Sequence, residues 1–169
     1  MKLESINKQR YRKHLNIILF GCAISLMVGA LALSTILIAL FAQEFLSNFY
    51  LNLIGVSIAG LAVTTLLIKF KHHPWMTEVY YVWRLKQQLN LINRKLAKIE
   101  KAANESNADA FLILSFYYQG SQQLYKLDDN TITLSSLNKK SAILEQQISD
   151  AKVEIDVEQF TASLVKNFK

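Results

Sequence analysis

The sequence predicts an all-α membrane protein: a two-helix transmembrane hairpin followed by a cytoplasmic helical bundle or coiled-coil hairpin. Three observations carry this prediction. Two long stretches, 15–43 and 45–68, contain no charged side chain. Basic residues flank the pair on its outer ends and are missing between the two stretches. Beyond residue 72 the apolar residues recur at intervals of three and four.

Each uncharged stretch exceeds the roughly 20 residues that an α-helix needs to cross about 30 Å of hydrocarbon. Backbone groups in lipid must be satisfied within the segment, so each stretch is read as a helix rather than a strand. The expected spans are 15–43 and 49–71, joined by a short periplasmic turn at 44–48. The first span has a basic lead-in and an Ala30-Leu31-Ala32 triplet, as secretory signals do. A signal core covers only about 7–15 residues, whereas this run continues through Ile36, Leu40 and Phe41. An uncleaved anchor is expected.

Orientation follows from the flanks. Arg10, Arg12 and Lys13, with Lys2 and Lys8, precede the first span in a basic segment at 1–14, and Lys69 and Lys71 close the second. Lys and Arg are retained on the cytoplasmic side, so both termini and the domain at 72–169 are expected there. The formal charge of +6 sits at these flanks, since from residue 76 onward twelve basic residues face eleven acidic ones. Such a distribution suits the lipid bilayer as partner and argues against nucleic acid.

Small residues recur every four positions in the spans, as Gly21, Ser25 and Gly29 and as Gly55 and Ala59. Residues of this size let helix backbones approach closely and gain dispersion contacts, which are the main attraction between helices already in lipid. They are expected to close the hairpin on itself, with a homodimer or another membrane protein as the alternative. Cys22, inside the first span, cannot form an intrachain disulfide and is read as a small apolar packing residue.

Pro74 suits the first turn of a new helix, expected over 74–103. Along it Val82, Leu85, Leu89, Ile92, Leu96, Ile99 and Ala103 form a heptad seam. Ser106 with Asp109 reads as a capping box opening a helix to about 127, whose face is Phe111, Leu114, Tyr117, Tyr118, Leu124 and Tyr125. Gly120, the one glycine outside the spans, marks close packing or a kink. After a turn at Asp128-Asp129-Asn130-Thr131, Leu134, Leu137, Ser141, Leu144 and Ile148 predict a helix over 134–151. Asp156 and Gln159 would cap a last short helix carrying Phe160, Leu164 and Phe168, although 153–157 alternates like a strand. Short connections favour antiparallel neighbours.

The runs His72-His73-Pro74-Trp75, Trp83-Arg84-Leu85-Lys86, Phe116-Tyr117-Tyr118 and Leu127-Asp128-Asp129-Asn130-Thr131, with the opening at 4–15, carry a family likeness. The chain resembles, over about 1–150, small bacterial inner-membrane proteins grouped as domain of unknown function 3087. The resemblance implies a Gram-negative inner membrane and supplies no activity and no catalytic residue.

No enzyme and no cofactor are expected. Four of the five glycines lie in the spans, which leaves no Gly-rich phosphate loop. Paired cysteines and a helical His-Glu-x-x-His are both missing. His14, His72 and His73 fall at one membrane edge, with Glu78 about a turn beyond, and are read as amphipathic flank residues in preference to a metal site. Asp128, Asp129 and Asn130 match only a fragment of a calcium loop. Neither span carries an interior ionisable residue, which argues against an ion path. The expectation is therefore a membrane-anchored helical interaction or scaffold module, with a small oligomeric pore or transporter subunit as the alternative. Trp75, Tyr80, Trp83, Arg84, Tyr117 and Tyr118 are the candidate face for another membrane or cytoplasmic protein, or for a second copy.

Overall fold

The computed structural model describes residues 1–41, 47–130 and 132–168. Every regular element among these is helical. They are α1 (Lys8–Phe41), α2 (Asn48–Phe70), α3 (Thr77–Asn93), α4 (Leu96–Asn104), α5 (Ala108–Leu127) and α6 (Leu134–Asp150). Short 3₁₀ turns occupy Pro74–Met76, Val157–Gln159 and Leu164–Asn167. Most of the turn expected at 44–48, and Thr131 of the later turn, lie outside the described residues.

The chain divides into two compact units, one of Gln9–Tyr80 and one that joins Met1–Lys8 to Tyr81–Lys169. The sequence boundaries differ from these, because the basic segment at 1–14 is split. Residues 1–7 are non-helical and belong with the later helices, while Arg10, Arg12 and Lys13 ride on the first turns of α1.

In the first unit, α1 and α2 are apolar on all sides and largely uncovered. Only 6% of the most apolar window of α1 is buried, and 17% of that of α2. Phe20, Leu31, Leu40 and Leu61 are each about two-thirds exposed. The helices touch through small residues. A methyl group on Gly29 would meet Ala59 Cβ at 3.6 Å, and one on Gly55 would fall 2.5 Å from Ser34 Oγ and 2.8 Å from the Ser34 nitrogen. Gly21 has nothing within 4 Å of its Cβ direction, and Ser25 is exposed. The close approach is thus made by Gly29, Ser34, Gly55 and Ala59 rather than along the whole expected stripe. Three exposed hydroxyls are satisfied within their own helices: Thr35 donates to the Leu31 carbonyl at 2.8 Å, Ser57 to Leu53 at 2.7 Å and Thr65 to Leu61 at 2.8 Å.

In the second unit the expected seam is core. Leu85, Ile92 and Ile99 are fully buried, and Val82, Leu89 and Ala103 nearly so. The helix expected over 74–103 is interrupted, however. Lys95 leaves helical geometry at φ −119°, and its N–H turns back to the Ile92 carbonyl at 2.9 Å, a tighter three-residue turn. Lys95 Nζ donates to the Val165 carbonyl at 3.2 Å. No residue at the break is a helix breaker, so a tertiary contact accompanies the interruption where local propensity gives no cause.

Helix α5 is central, packing against α4, α6 and both C-terminal 3₁₀ turns. At Gly120 the side chains of α3 come close: a Cβ there would lie 3.1 Å from Leu85 Cδ1 and 3.2 Å from Leu89 Cδ2. The cap of α5 is Asn107, whose side chain accepts the Ala110 N–H at 3.0 Å. Ser106, the expected cap, serves the preceding helix instead. It sits at φ 59°, with its N–H bonded to Ala103 and that of Asn107 bonded to Ala102, a Schellman ending without glycine.

The tail from Ala151 onward forms no strand at 153–157 and no continuous last helix. Asp156 does cap, accepting the Glu158 N–H at 2.9 Å, but the turn it starts is three residues long. The tail is held by its side chains: Phe160 stacks on Phe116 at 3.9 Å, and Val165 is fully buried.

The N-terminal segment completes the unit. The Met1 amine donates to the Phe160 carbonyl at 3.0 Å, and the Glu4 N–H donates to the Tyr81 hydroxyl at 2.9 Å. Tyr81 donates onward to Gln123 Oε1 at 3.1 Å, and the Gln123 amide donates back to the Glu4 carbonyl. Lys2 pairs with Glu158 and Lys8 with Asp129 at the exposed rim, where ion pairs contribute little.

Candidate functional site

Polar side chains are buried together in the unit of α1 and α2. Arg10 and His14 lie one turn apart on α1, and Glu78 occupies the first turn of α3, where a helix N-terminus favours negative charge. Arg10 Nε donates to Glu78 Oε1 at 2.8 Å. Glu78 is 8% exposed and His14 is 9% exposed. A carboxylate this buried needs a compensating charge, and the guanidinium supplies it. Glu78 Oε2 and His14 Nδ1 are 3.7 Å apart, beyond hydrogen-bond reach, and neither has a hydrogen-bond partner among the described residues. Trp75 closes one side, its ring 4.6 Å from that of His14.

The three imidazoles turn to different neighbours. His72 meets Tyr80 edge-on at 5.5 Å, and His73 faces Phe70 while its Nδ1 accepts the Trp75 N–H at 3.2 Å. Among the described residues no three His, Cys, Asp or Glu side chains are grouped as a metal would require.

Beside this cluster an open apolar cleft of about 400 Å³ runs between α1 and α2. Ile17, Gly21, Cys22 and Ser25 form one wall, Val63, Leu66, Leu67 and Phe70 the other, and His73, Trp75 and Met76 the mouth. Gly21 belongs here, and its missing side chain leaves the slot open.

The six residues of the candidate interaction face are not brought together as one surface within either unit. Trp75 and Tyr80 belong to the unit of α1 and α2, where they pack on His14 and His72. Tyr118 is core, 5% exposed, and its hydroxyl donates to Glu100 Oε1 at 3.4 Å. Burial, and then the Glu100 carboxylate, push its pKa up to about 12. Tyr117 donates to Asn93 Oδ1 at 3.1 Å and Tyr81 sits in the N-terminal network, and burial raises the pKa of both. Trp83, at 53% exposure, and the adjacent Arg84 remain on the outside of α3.

Sequence reasoning placed Glu78 near the histidines but missed its pairing with Arg10. A signal was present: Glu78 is the one acidic residue between Glu44 and Glu100, and it is set among aromatics.

No curated protein and no solved structure matches the chain. A family model does match, over residues 1–165, slightly further than the sequence likeness reached. The chain belongs to the family described as Protein of unknown function (DUF3087).

Proposed function

We propose that the protein is a membrane-anchored helical interaction module of a bacterial inner membrane. The two apolar helices cross as a hairpin, both termini are cytoplasmic, and the protein works by contact rather than by catalysis. The observation that carries this reading is the exposure of α1 and α2. A core helix of a soluble protein is covered by its neighbours, whereas here most of two long apolar surfaces is left for another medium to cover. The inward-bonded hydroxyls of Thr35, Ser57 and Thr65 suit contact with lipid tails.

The sidedness has independent support. Met1–Lys8 and Tyr81–Lys169 fold into one unit, so a chain that leaves the membrane surface through α1 must return through α2. The contacts that run in opposite order along the two helices, Gly29 with Ala59 and Ser34 with Gly55, favour the same hairpin. Cleavage after Ala32 would strip the unit of its first eight residues, which speaks for an uncleaved anchor. Basic flanks at Arg12, Lys13, Lys69 and Lys71 set the cytoplasmic side.

The seam is spent on the core, so a partner must meet another surface. Trp83 and Arg84, an exposed aromatic beside an exposed cation, have the composition that interface anchors favour. Paired fusions of a cytoplasm-active and a periplasm-active reporter, one set at the C-terminus and one within 42–46, test the topology. A periplasmic C-terminus would overturn the orientation, and both sites reporting the same side would overturn the hairpin. Mass measurement of the complex purified in mild detergent tests the contact role. A defined stoichiometric assembly that Trp83→Ala disperses is expected, and a lone monomer in lipid nanodiscs would count against it.

A further inference from the structure

We propose that the cleft between α1 and α2 is a binding site for one anionic phospholipid, with an acyl chain in the slot and the phosphate held by the lysines of the helix turns next to its mouth. The proposal rests on the membrane reading above. The slot is built for an apolar, slender occupant. Its walls are Ile17, Val63, Leu67 and Phe70, and Gly21 and Ser25 keep its floor low. A volume of about 400 Å³ is at the small end of ligand sites, too narrow for a protein helix with its side chains.

Charge at the mouth selects the headgroup. Lys13 lies one turn before Ile17 on α1, and Lys69 lies three residues after Leu66 on α2, so each shares a helix face with a residue lining the slot. Lys71 follows directly after the last lining residue of α2. Among the described residues none of these three lysines forms an ion pair. Glu78, the acid nearest in sequence to the mouth, is already paired with Arg10. The helix positions that flank the mouth thus carry cations without an ion-paired acid, near a Trp75 ring of the kind that sits at headgroup depth.

The test uses the full chain in detergent, with native mass spectrometry during titration by dioleoyl phosphatidylglycerol or dioleoyl phosphatidylcholine. One phosphatidylglycerol should bind ahead of any phosphatidylcholine. Lys13→Gln and Lys69→Gln should each weaken phosphatidylglycerol about fivefold and leave phosphatidylcholine unchanged. Gly21→Leu should expel the first lipid of either kind, because its side chain enters open space and blocks the slot without a clash. Wild-type phosphatidylglycerol binding in the lysine variants and in Gly21→Leu alike would overturn the site. Flotation with vesicles separates the two readings: a chain that floats yet shows no lipid preference defeats the site alone, and one that does not float defeats the membrane reading.

Discussion

The backbone N–H of Glu4 donates to the hydroxyl of Tyr81 at 2.9 Å, joining residues 77 positions apart. Because Tyr81 also donates to Gln123, and Gln123 returns a bond to the Glu4 carbonyl, the three residues form a closed ring of hydrogen bonds. Tyr81→Phe removes the hydroxyl and orphans the Glu4 N–H. A loss of about 1 kcal/mol is expected, accompanied by faster amide exchange across residues 1–7. Unchanged exchange in that segment would mean that the ring does not hold it.

Gly29 and Ala59 approach within disulfide geometry, since their Cβ positions are 3.6 Å apart and bridged cysteines average about 3.8 Å. In a Cys22→Ser background, Gly29→Cys with Ala59→Cys should cross-link within one chain under mild oxidation. Gly21→Cys with Ala59→Cys should not. Gly55→Ala should lower the yield, because its methyl would press on the Ser34 backbone, whereas Gly60→Ala, with open space around it, should not. Cross-linked dimers in place of an internal bridge would contradict the pairing.

Ser106 holds a left-handed backbone at φ 59° that a side chain resists and glycine adopts freely. Ser106→Gly should therefore stabilise the protein by about 1 kcal/mol, while Ser106→Ala should not. Thermal denaturation of the two variants decides it, and equal melting temperatures would show that the cap carries no strain.

Tyr118 gives alkaline stability a definite sign. Its hydroxyl keeps its proton up to about pH 12 in the folded protein, whereas an unfolded chain releases it near pH 10. The folded state binds this proton more tightly, so the stabilisation is complete below about pH 10 and is lost as pH rises toward 12. Tyr81 and Tyr117, also raised by burial, act in the same direction. Tyr118→Phe should flatten the fall in stability over that window. An equally steep fall in the variant would assign the effect elsewhere.

Periodicity made the helical character legible because both signals are strong. Uncharged runs longer than a bilayer crossing, and a seam from Val82 to Ala103 that turned out to be core, need nothing beyond spacing to be seen. The interruption at Lys95 was illegible, since Arg94, Lys95 and Leu96 are good helix formers and the accompanying contact comes from Val165, 70 positions away. Ser106 was misassigned by one position because a hydroxyl residue at a helix junction can serve either helix. Its left-handed backbone, which sequence does not display, assigns it to the end of α4.

The candidate site was half legible. His14 and Glu78 were read as near neighbours, but burial decides what such residues do, and burial depends on which helix covers them. Within the second unit the aromatic face divides for the same reason. Composition flagged Tyr118 and Trp83 alike, yet one is sealed inside and the other is half exposed. The role of 1–7 was hidden because Lys2 and the adjoining Lys8 grouped it with the basic flank. Leu3, whose methyl lies within reach of Gly120, was the sign of a segment that docks.

That docking has a consequence for synthesis. Residues 1–4 find their partners at Tyr81, Gln123 and Phe160, the last of these 159 positions further along the chain. At ordinary elongation rates the opening segment waits roughly ten seconds or more while both apolar helices are made. Closure of this unit is thus postponed until Phe160 emerges, and a chain truncated before Phe160 would leave residue 1 without that contact.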